Sequence, residues 1–273
     1  MNDRRRSTLE PATPPLRDLG DGFSCVIVGE GAPLIVFPGM ARGPVTRGRH
    51  YAGLARATKR TIYAINRPHG LARGVTMPEL AARHARVMAS LFDGAVDVFG
   101  ASTGGVLALQ LAVDHPARVN RLVVAAAASW LGDEGREKLR RFGEEVERGR
   151  SGGRVLASML ASHRWEWLVA LMLAVSYQFE RRAIPYDMLA TIDAEVGFDI
   201  TSQLHRIRAP TLLLAGARDR AFSLDLMRAT AAGISGSRLI VYPRAGHVGT
   251  MANPHFGSDV AGFLAEHMPP SAP

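Results

Sequence analysis

The stretch Val96-Asp97-Val98-Phe99-Gly100-Ala101-Ser102-Thr103-Gly104-Gly105-Val106-Leu107-Ala108-Leu109-Gln110 constrains the fold of this chain more than any other part of it. An apolar run of strand character passes directly into an apolar helical run, through a turn with glycine on both sides of a serine. Such a turn is tight, and bulky side chains at the flanking positions would clash with neighbouring backbone. The same strain lifts the serine hydroxyl above the sheet edge. The helix N-terminus beneath it supplies unpaired N–H groups and the positive end of a dipole, both suited to an oxyanion. Gly-x-Ser-x-Gly alone is a weak signal, because both residues are common in short loops, and an ordinary strand-to-helix turn is the competing reading. The strand–turn–helix setting is what makes the match specific.

Along the rest of the chain, β-like and helix-like segments alternate, the pattern of a parallel sheet with crossover helices. Strands are expected at 23–28, 33–37, 61–65, 95–99, 119–125, 211–215 and 238–242, mostly as short apolar runs without polar alternation, as befits a sheet covered on both faces. Helices are expected at 47–58, 78–92, 103–114, 224–232 and 254–267, with Pro78 and Pro254 where a missing N–H is harmless. The alternation breaks between Leu131 and Arg206, where a charged amphipathic segment, a Ser151-Gly152-Gly153 turn and further helical pieces occur without a strand. The expected organisation is therefore a flexible segment over 1–20, an α/β core over 21–130 and 207–273, and a helical cap over 131–206. The core is a mostly parallel central sheet of about eight strands flanked by helices, with the cap over the carboxyl ends of the strands, where open α/β folds place ligands.

From about residue 21 to 267 the chain resembles the α/β-hydrolase family, in which the elbow follows the fifth strand and the triad order is Ser, then Asp or Glu, then His. The resemblance implies that Ser102 is the nucleophile. It also implies an acid after a late strand, and Thr211-Leu212-Leu213-Leu214-Ala215-Gly216-Ala217-Arg218-Asp219 supplies Asp219 there; Asp133, Asp193 and Asp199 are the alternatives. The histidine is expected in the loop after the last strand, where Tyr242-Pro243-Arg244-Ala245-Gly246-His247 supplies His247. The chemistry needs these types: a serine hydroxyl is a poor nucleophile until a base takes its proton, an imidazole can take and return it, and a carboxylate holds the imidazole tautomer. By the same resemblance the oxyanion is held by the backbone N–H groups of Thr103 and Met40. Pro38-Gly39 stands where the family commonly has His-Gly, which leaves the supporting hydrogen bonds of that loop open. His69, in Asn66-Arg67-Pro68-His69-Gly70, is a candidate pocket residue, as are Trp165, Trp167 and Met172 from an apolar stripe in the cap, and Val248 beside His247.

Composition narrows the partners. The net charge is +8 from 33 basic residues, almost all arginine and interleaved with acids as in Arg140-Arg141-Phe142-Gly143-Glu144-Glu145, which reads as a solvated face and not as a nucleic-acid stripe. Cys25 is the single cysteine, so no intrachain disulfide forms. No apolar run reaches the length of a membrane span, and the basic N-terminus is not followed by a secretory apolar run, so a cytoplasmic protein is expected, as monomer or homodimer. No metal or cofactor motif occurs. The expected activity is hydrolysis of a carboxylic ester of a small, largely apolar substrate. Carbon–carbon, lactone or thioester hydrolysis, acyl transfer, perhydrolysis and slow-turnover ligand reception are the alternatives on the same residues.

Overall fold

The computed structural model describes residues 16–40, 49–160, 168, 171–172 and 186–266. Eight strands form one sheet: β1 Arg17–Gly20, β2 Phe23–Val28, β3 Ala32–Phe37, β4 Arg60–Ile65, β5 Val96–Ala101, β6 Val119–Ala125, β7 Thr211–Gly216 and β8 Arg238–Tyr242. Their order is β1-β2-β4-β3-β5-β6-β7-β8. β2 runs antiparallel to β1 and β4, and every pairing from β4 through to β8 is parallel. The apolar runs lack alternation because successive residues enter two different cores. Ile35 and Phe37 of β3 face one core and Leu34 and Val36 the other, and Leu213 and Leu212 of β7 divide in the same way.

Among the described residues the helices bounded at both ends are α1 Arg49–Thr58, α2 Met77–Leu91, α3 Thr103–Asp114, α4 Gly132–Glu147, α5 Gly153–Leu160, α6 Tyr186–Val196, α7 Leu224–Gly233, α8 His247–Met251 and α9 Phe256–Ala265. α1 packs on α9 over one face of the sheet, and α2 packs on α3 over the other. α2 begins with a capping box in which Thr76 accepts from the Glu79 N–H and the Glu79 carboxylate accepts from the Thr76 N–H at 2.7 Å. α4, α5 and α6 all lie between β6 and β7, and α4 packs on both α5 and α6. Arg140 and Arg141 of α4 pair with Glu137 and Glu144 on an exposed face, each pair adding little stability. Among the described residues no helix is long and apolar enough to cross a membrane.

Two local expectations change. The flexible segment expected over 1–20 ends in β1, a charged edge strand paired to β2 through a Gly20-Asp21-Gly22 turn in which all three residues have positive φ; residues 1–15 lie outside the described residues. The helix expected from Pro254 starts at Phe256, because the Asn253 side chain accepts from the His255 N–H at 2.9 Å and closes a turn across the proline.

The position of the elbow is set by backbone contact. A Cβ on Gly100 would lie 2.3 Å from the Gly104 carbonyl oxygen, and one on Gly104 only 2.0 Å from that of Phe37. The three elements β3, β5 and α3 therefore meet with no room for a side chain. Gly104→Ala is expected to lower stability by on the order of 3 kcal/mol or to prevent folding, since the obstacle is backbone that cannot swing aside. Thermal unfolding of the variant checks this, and an unchanged midpoint would count against the packing described.

Candidate active site

Ser102 sits between the last residue of β5 and the first of α3, with φ +53° and ψ −126°. This conformation is unfavourable for a residue with a Cβ. It is held by the Ser102 N–H donating to the Ala125 carbonyl at 2.9 Å and by the Gly105 and Val106 N–H groups donating to the Ser102 carbonyl. The side chain is thereby aimed away from the helix axis; it makes no capping bond to the helix.

The loops after β7 and β8 converge on it. The Ala217 N–H donates to the Tyr242 carbonyl at 3.1 Å and the Arg218 N–H to the Ala245 carbonyl at 2.8 Å, so the two loops are stitched along their length. Asp219 and His247 emerge from this seam. The Ser102 hydroxyl donates to His247 Nε2 at 2.9 Å, and His247 Nδ1–H donates to Asp219 Oδ2 at 2.9 Å. The donor directions follow from the carboxylate, which is acceptor-only and so places the imidazole proton on Nδ1. The other oxygen, Asp219 Oδ1, accepts from the Ala221 and Phe222 N–H groups at 2.8 and 3.0 Å. Phe222 lies almost parallel to the imidazole, with ring centroids 6.1 Å apart. Acid and base are both buried.

Of the alternative acids, Asp193 is paired with Arg73 at 2.6 Å. Asp199 faces Arg136 and accepts from the Thr201 N–H, and Asp133 lies in the first turn of α4. Asp219 alone of the four bonds His247 among the described residues.

A cavity of about 190 Å³ opens over the serine. Met40 and Thr103 line it beside Ser102 and His247, and so do Leu131, Leu139, Leu156, Met159 and Leu160 from the segment between β6 and β7. Thr103 is the first residue of α3, so its N–H has no partner within the helix. Gly39, next to Met40, comes close to the elbow: a Cβ there would lie 3.3 Å from the Ala101 carbonyl oxygen and 3.4 Å from the Ser102 Cβ. Support for this loop comes from Arg67, whose guanidinium donates to the Gly39 carbonyl at 3.1 Å.

The candidate pocket residues divide. Val248 lines the cavity while remaining 55% exposed. His69 does not line it: its ring is largely exposed and meets Asp187 of α6 at 3.3 Å, so it braces the loop after β4 from outside. Met172 is 64% exposed and does not line it either. Helical spacing groups residues on a face without saying which way that face looks. Trp165 and Trp167 lie outside the described residues.

The sequence reading missed Glu195. It lies on α6, lines the cavity, is 3% exposed, and its Oε2 has no hydrogen-bond partner among the described residues. Burial raises its pKa from 4.5 to about 7, against the opposing effects of a hydrogen bond with the Thr103 side chain and the charges of Arg67 and His247. The available signal was its place three residues after Ile192 and seven after Met188, both buried, which puts it on the inward face of the helix. Arg67 was the second omission. Burial works against its charge, and the charges of Glu195 and Asp187 offset that only in part.

A family model for the alpha/beta hydrolase fold matches residues 53–254. The chain is 28% identical over 218 residues to the RutD protein of Caulobacter sp. (strain K31), which is named as a carbamate hydrolase; the match covers 77% of this chain and 78% of that one. It is 31% identical over 164 residues to a poly(3-hydroxyalkanoate) depolymerase of Ectopseudomonas oleovorans, covering 59% of this chain and 58% of the other. Among solved structures it resembles MGS-M2, an alpha/beta hydrolase enzyme from a Medee basin deep-sea metagenome library. That likeness has a TM-score of 0.78 at 15% identity and covers 90% of this chain and 95% of that one.

The raised Glu195 pKa has a consequence for stability. The folded protein holds this proton more tightly than the unfolded chain does, so the associated stability is full below about pH 4.5 and is lost as pH rises through about 7. Glu195→Gln removes the titration. Between pH 5 and 8 the wild type is expected to lose on the order of 3 kcal/mol more stability than the variant. Denaturant unfolding of both proteins at the two pH values measures the difference, and equal losses would refute the assignment.

Proposed function

The chain belongs to the alpha/beta hydrolase fold family, and from that premise we propose that it is a serine hydrolase cleaving a carboxylic ester of a small, largely apolar substrate through an acyl-enzyme on Ser102. The observation that carries this reading is the unbroken hydrogen-bond relay from Ser102 Oγ through His247 to Asp219, with both links at 2.9 Å. The strained backbone at Ser102 and the apolar cavity above it support the same reading.

In the proposed reaction the Ser102 oxygen attacks the ester carbonyl as its proton passes to His247 Nε2. Asp219 steadies the resulting imidazolium without taking the proton, its own charge being held by the Ala221 and Phe222 N–H groups. The tetrahedral oxyanion is received by the N–H groups of Thr103 and Met40, whose positions are set by the helix start and by the Arg67-braced loop. Collapse expels the alkoxide, which leaves as an alcohol with the proton from His247. Water activated by the same imidazole then releases the acid and regenerates the serine. Leu131, Leu139, Leu156, Met159 and Leu160 favour an apolar substituent. The names of two relatives, a carbamate hydrolase and a poly(3-hydroxyalkanoate) depolymerase, support a hydrolytic reading.

Ser102→Ala is expected to lower kcat on short-chain p-nitrophenyl esters by on the order of 10⁴-fold or more. An organophosphonate probe should add one adduct per chain on Ser102, as read by mass spectrometry, and none in the variant. Asp219→Asn should lower kcat by roughly 10³ to 10⁴-fold while leaving the fold intact, because the imidazole loses its preferred tautomer. Retained turnover in Ser102→Ala would end this proposal.

A further inference from the structure

Among the described residues, the wall of the cavity above Ser102 contains one ionisable side chain that the acyl-enzyme chemistry does not use. Gly39, Met40, Ser102, Thr103 and His247 belong to the proposed machinery, and Leu131, Leu139, Leu156, Met159, Leu160 and Met251 are apolar. Glu195 stands among them, 3% exposed, with Oε2 unpartnered. A buried carboxyl oxygen left unpaired is destabilising, so a group that can satisfy it binds with a corresponding advantage.

The helix that carries it is also held in place. Two turns before Glu195, α6 is fastened to the loop after β4, where Asp187 accepts from the Leu71 N–H at 2.7 Å. Asp193 on the neighbouring face pairs with Arg73. With its helix tied at these points, Glu195 lines the cavity and is hydrogen-bonded to the side chain of Thr103, the residue that follows the nucleophile.

We infer that Glu195 is a specificity-determining residue that receives a hydroxyl group carried on the acyl part of the substrate, close to the scissile carbonyl. This rests on the acyl-enzyme reading above and names its substrate class more closely. The charges around the group choose between possible occupants. Arg67 from the loop after β4 is the cation acting on it, joined by His247 from α8 once that imidazole is protonated; Thr103 from α3 hydrogen-bonds it, and Asp187 on its own helix acts on Arg67. An ammonium group on the substrate would enter the field of Arg67 and of the imidazolium formed during reaction, which opposes it. A carboxylate would meet Glu195 itself. A neutral hydroxyl meets neither obstacle, and it suits both forms of a carboxyl that titrates near neutrality: it donates to the carboxylate and accepts from the acid. Sites built to pair a substrate hydroxyl reject analogues that lack it far more sharply than an apolar wall rejects an added methylene.

The test compares ethyl hexanoate with its 2-hydroxy and 3-hydroxy counterparts by pH-stat titration. The wild type is expected to favour at least one hydroxy ester by about tenfold or more in kcat/KM. In Glu195→Leu the ratio should fall to near one, and in Glu195→Gln, which keeps a hydrogen-bonding head of the same size, a substantial part of the preference should remain. Ratios near one in the wild type, or a preference that survives unchanged in Glu195→Leu, would overturn the inference. Failure of the acyl-enzyme reading shows separately, as absence of phosphonate labelling on Ser102. In that event ligand-observed NMR titration of the hydroxy and plain esters with Ser102→Ala, in which nothing turns over, still decides the role of Glu195. Preferential binding of a hydroxy ester that Glu195→Leu abolishes in this background supports it, and equal binding of all three esters overturns it.

Discussion

Backbone atoms of β3, β5 and α3 approach at the elbow more closely than any side chain would permit, and the geometry of the candidate site descends from that contact. Gly104 rests against the Phe37 carbonyl, Gly100 rests against Gly104, and Gly105 leaves room for Ala127. Because β3 ends where α3 begins, the loop that follows β3 has to start directly over Ser102. The two N–H groups proposed to hold the oxyanion therefore have their spacing set by the crossing of three backbone segments and not by side-chain rotamers. Donors placed in this way need little reorganisation as charge develops, which is the circumstance in which such hydrogen bonds are worth most.

Arg67 extends this constraint outward. Its guanidinium donates to Gly39 in the loop after β3 and stands in the electrostatic field of Asp187 and Glu195 on α6. One half-buried cation thus links the loop after β4, the loop after β3 and a helix of the segment between β6 and β7. Isolated burial of such a charge would be costly, and pairing it with acids on the facing helix offsets that cost. The same pairing ties the position of α6 to the position of Gly39. A shift of α6 would leave Arg67 undercompensated, and the loop would lose the fixed donor on its carbonyl.

How much of this was legible in the sequence depended on whether the signal was local. The elbow, Asp219 and His247 each lie in a short segment in which an apolar strand runs into a glycine-containing turn, and such segments announce their own backbone geometry. Strands β2, β6 and β8 could be bounded to the residue for the same reason, since each is a β-rich apolar run ended by polar or turn residues. β1 was hidden because Arg17-Asp18-Leu19-Gly20 has a charged, nearly polar composition. An edge strand needs only one partner and little buried surface, and charge there discourages further pairing. The five-residue helix α8 was equally invisible, too short to show a period. Glu195 and Arg67 were missed for a different reason: nothing in their immediate neighbours says that a helix and a loop 128 positions apart will press two charges together. His69 shows the converse error. Its loop does lie near the site, but its ring turns outward to Asp187 while Arg67, two residues earlier, turns inward.

The presence of Glu195 is hard to explain by stability alone. A leucine would suit the wall formed by Leu139, Leu156 and Met159, would avoid burying an unpaired carboxyl oxygen, and would remove the loss of stability that accompanies ionisation near neutral pH. Against this, Glu195 contributes charge that Arg67 needs, yet Asp187 already supplies part of that and does so with both carboxylate oxygens engaged by His69 and Leu71. A purely compensating acid would be expected to direct its oxygens at the guanidinium it neutralises. Glu195 instead lines the cavity while its buried Oε2 has no partner among the described residues, and departures of this kind from local packing rules concentrate where a protein meets its ligand. Among the described residues the cavity is therefore asymmetric in its chemistry: mostly apolar side chains, with Glu195 as the one acid on its wall beside the candidate nucleophile. A substrate that is apolar along its length and carries a single hydroxyl near the ester matches that pattern group for group.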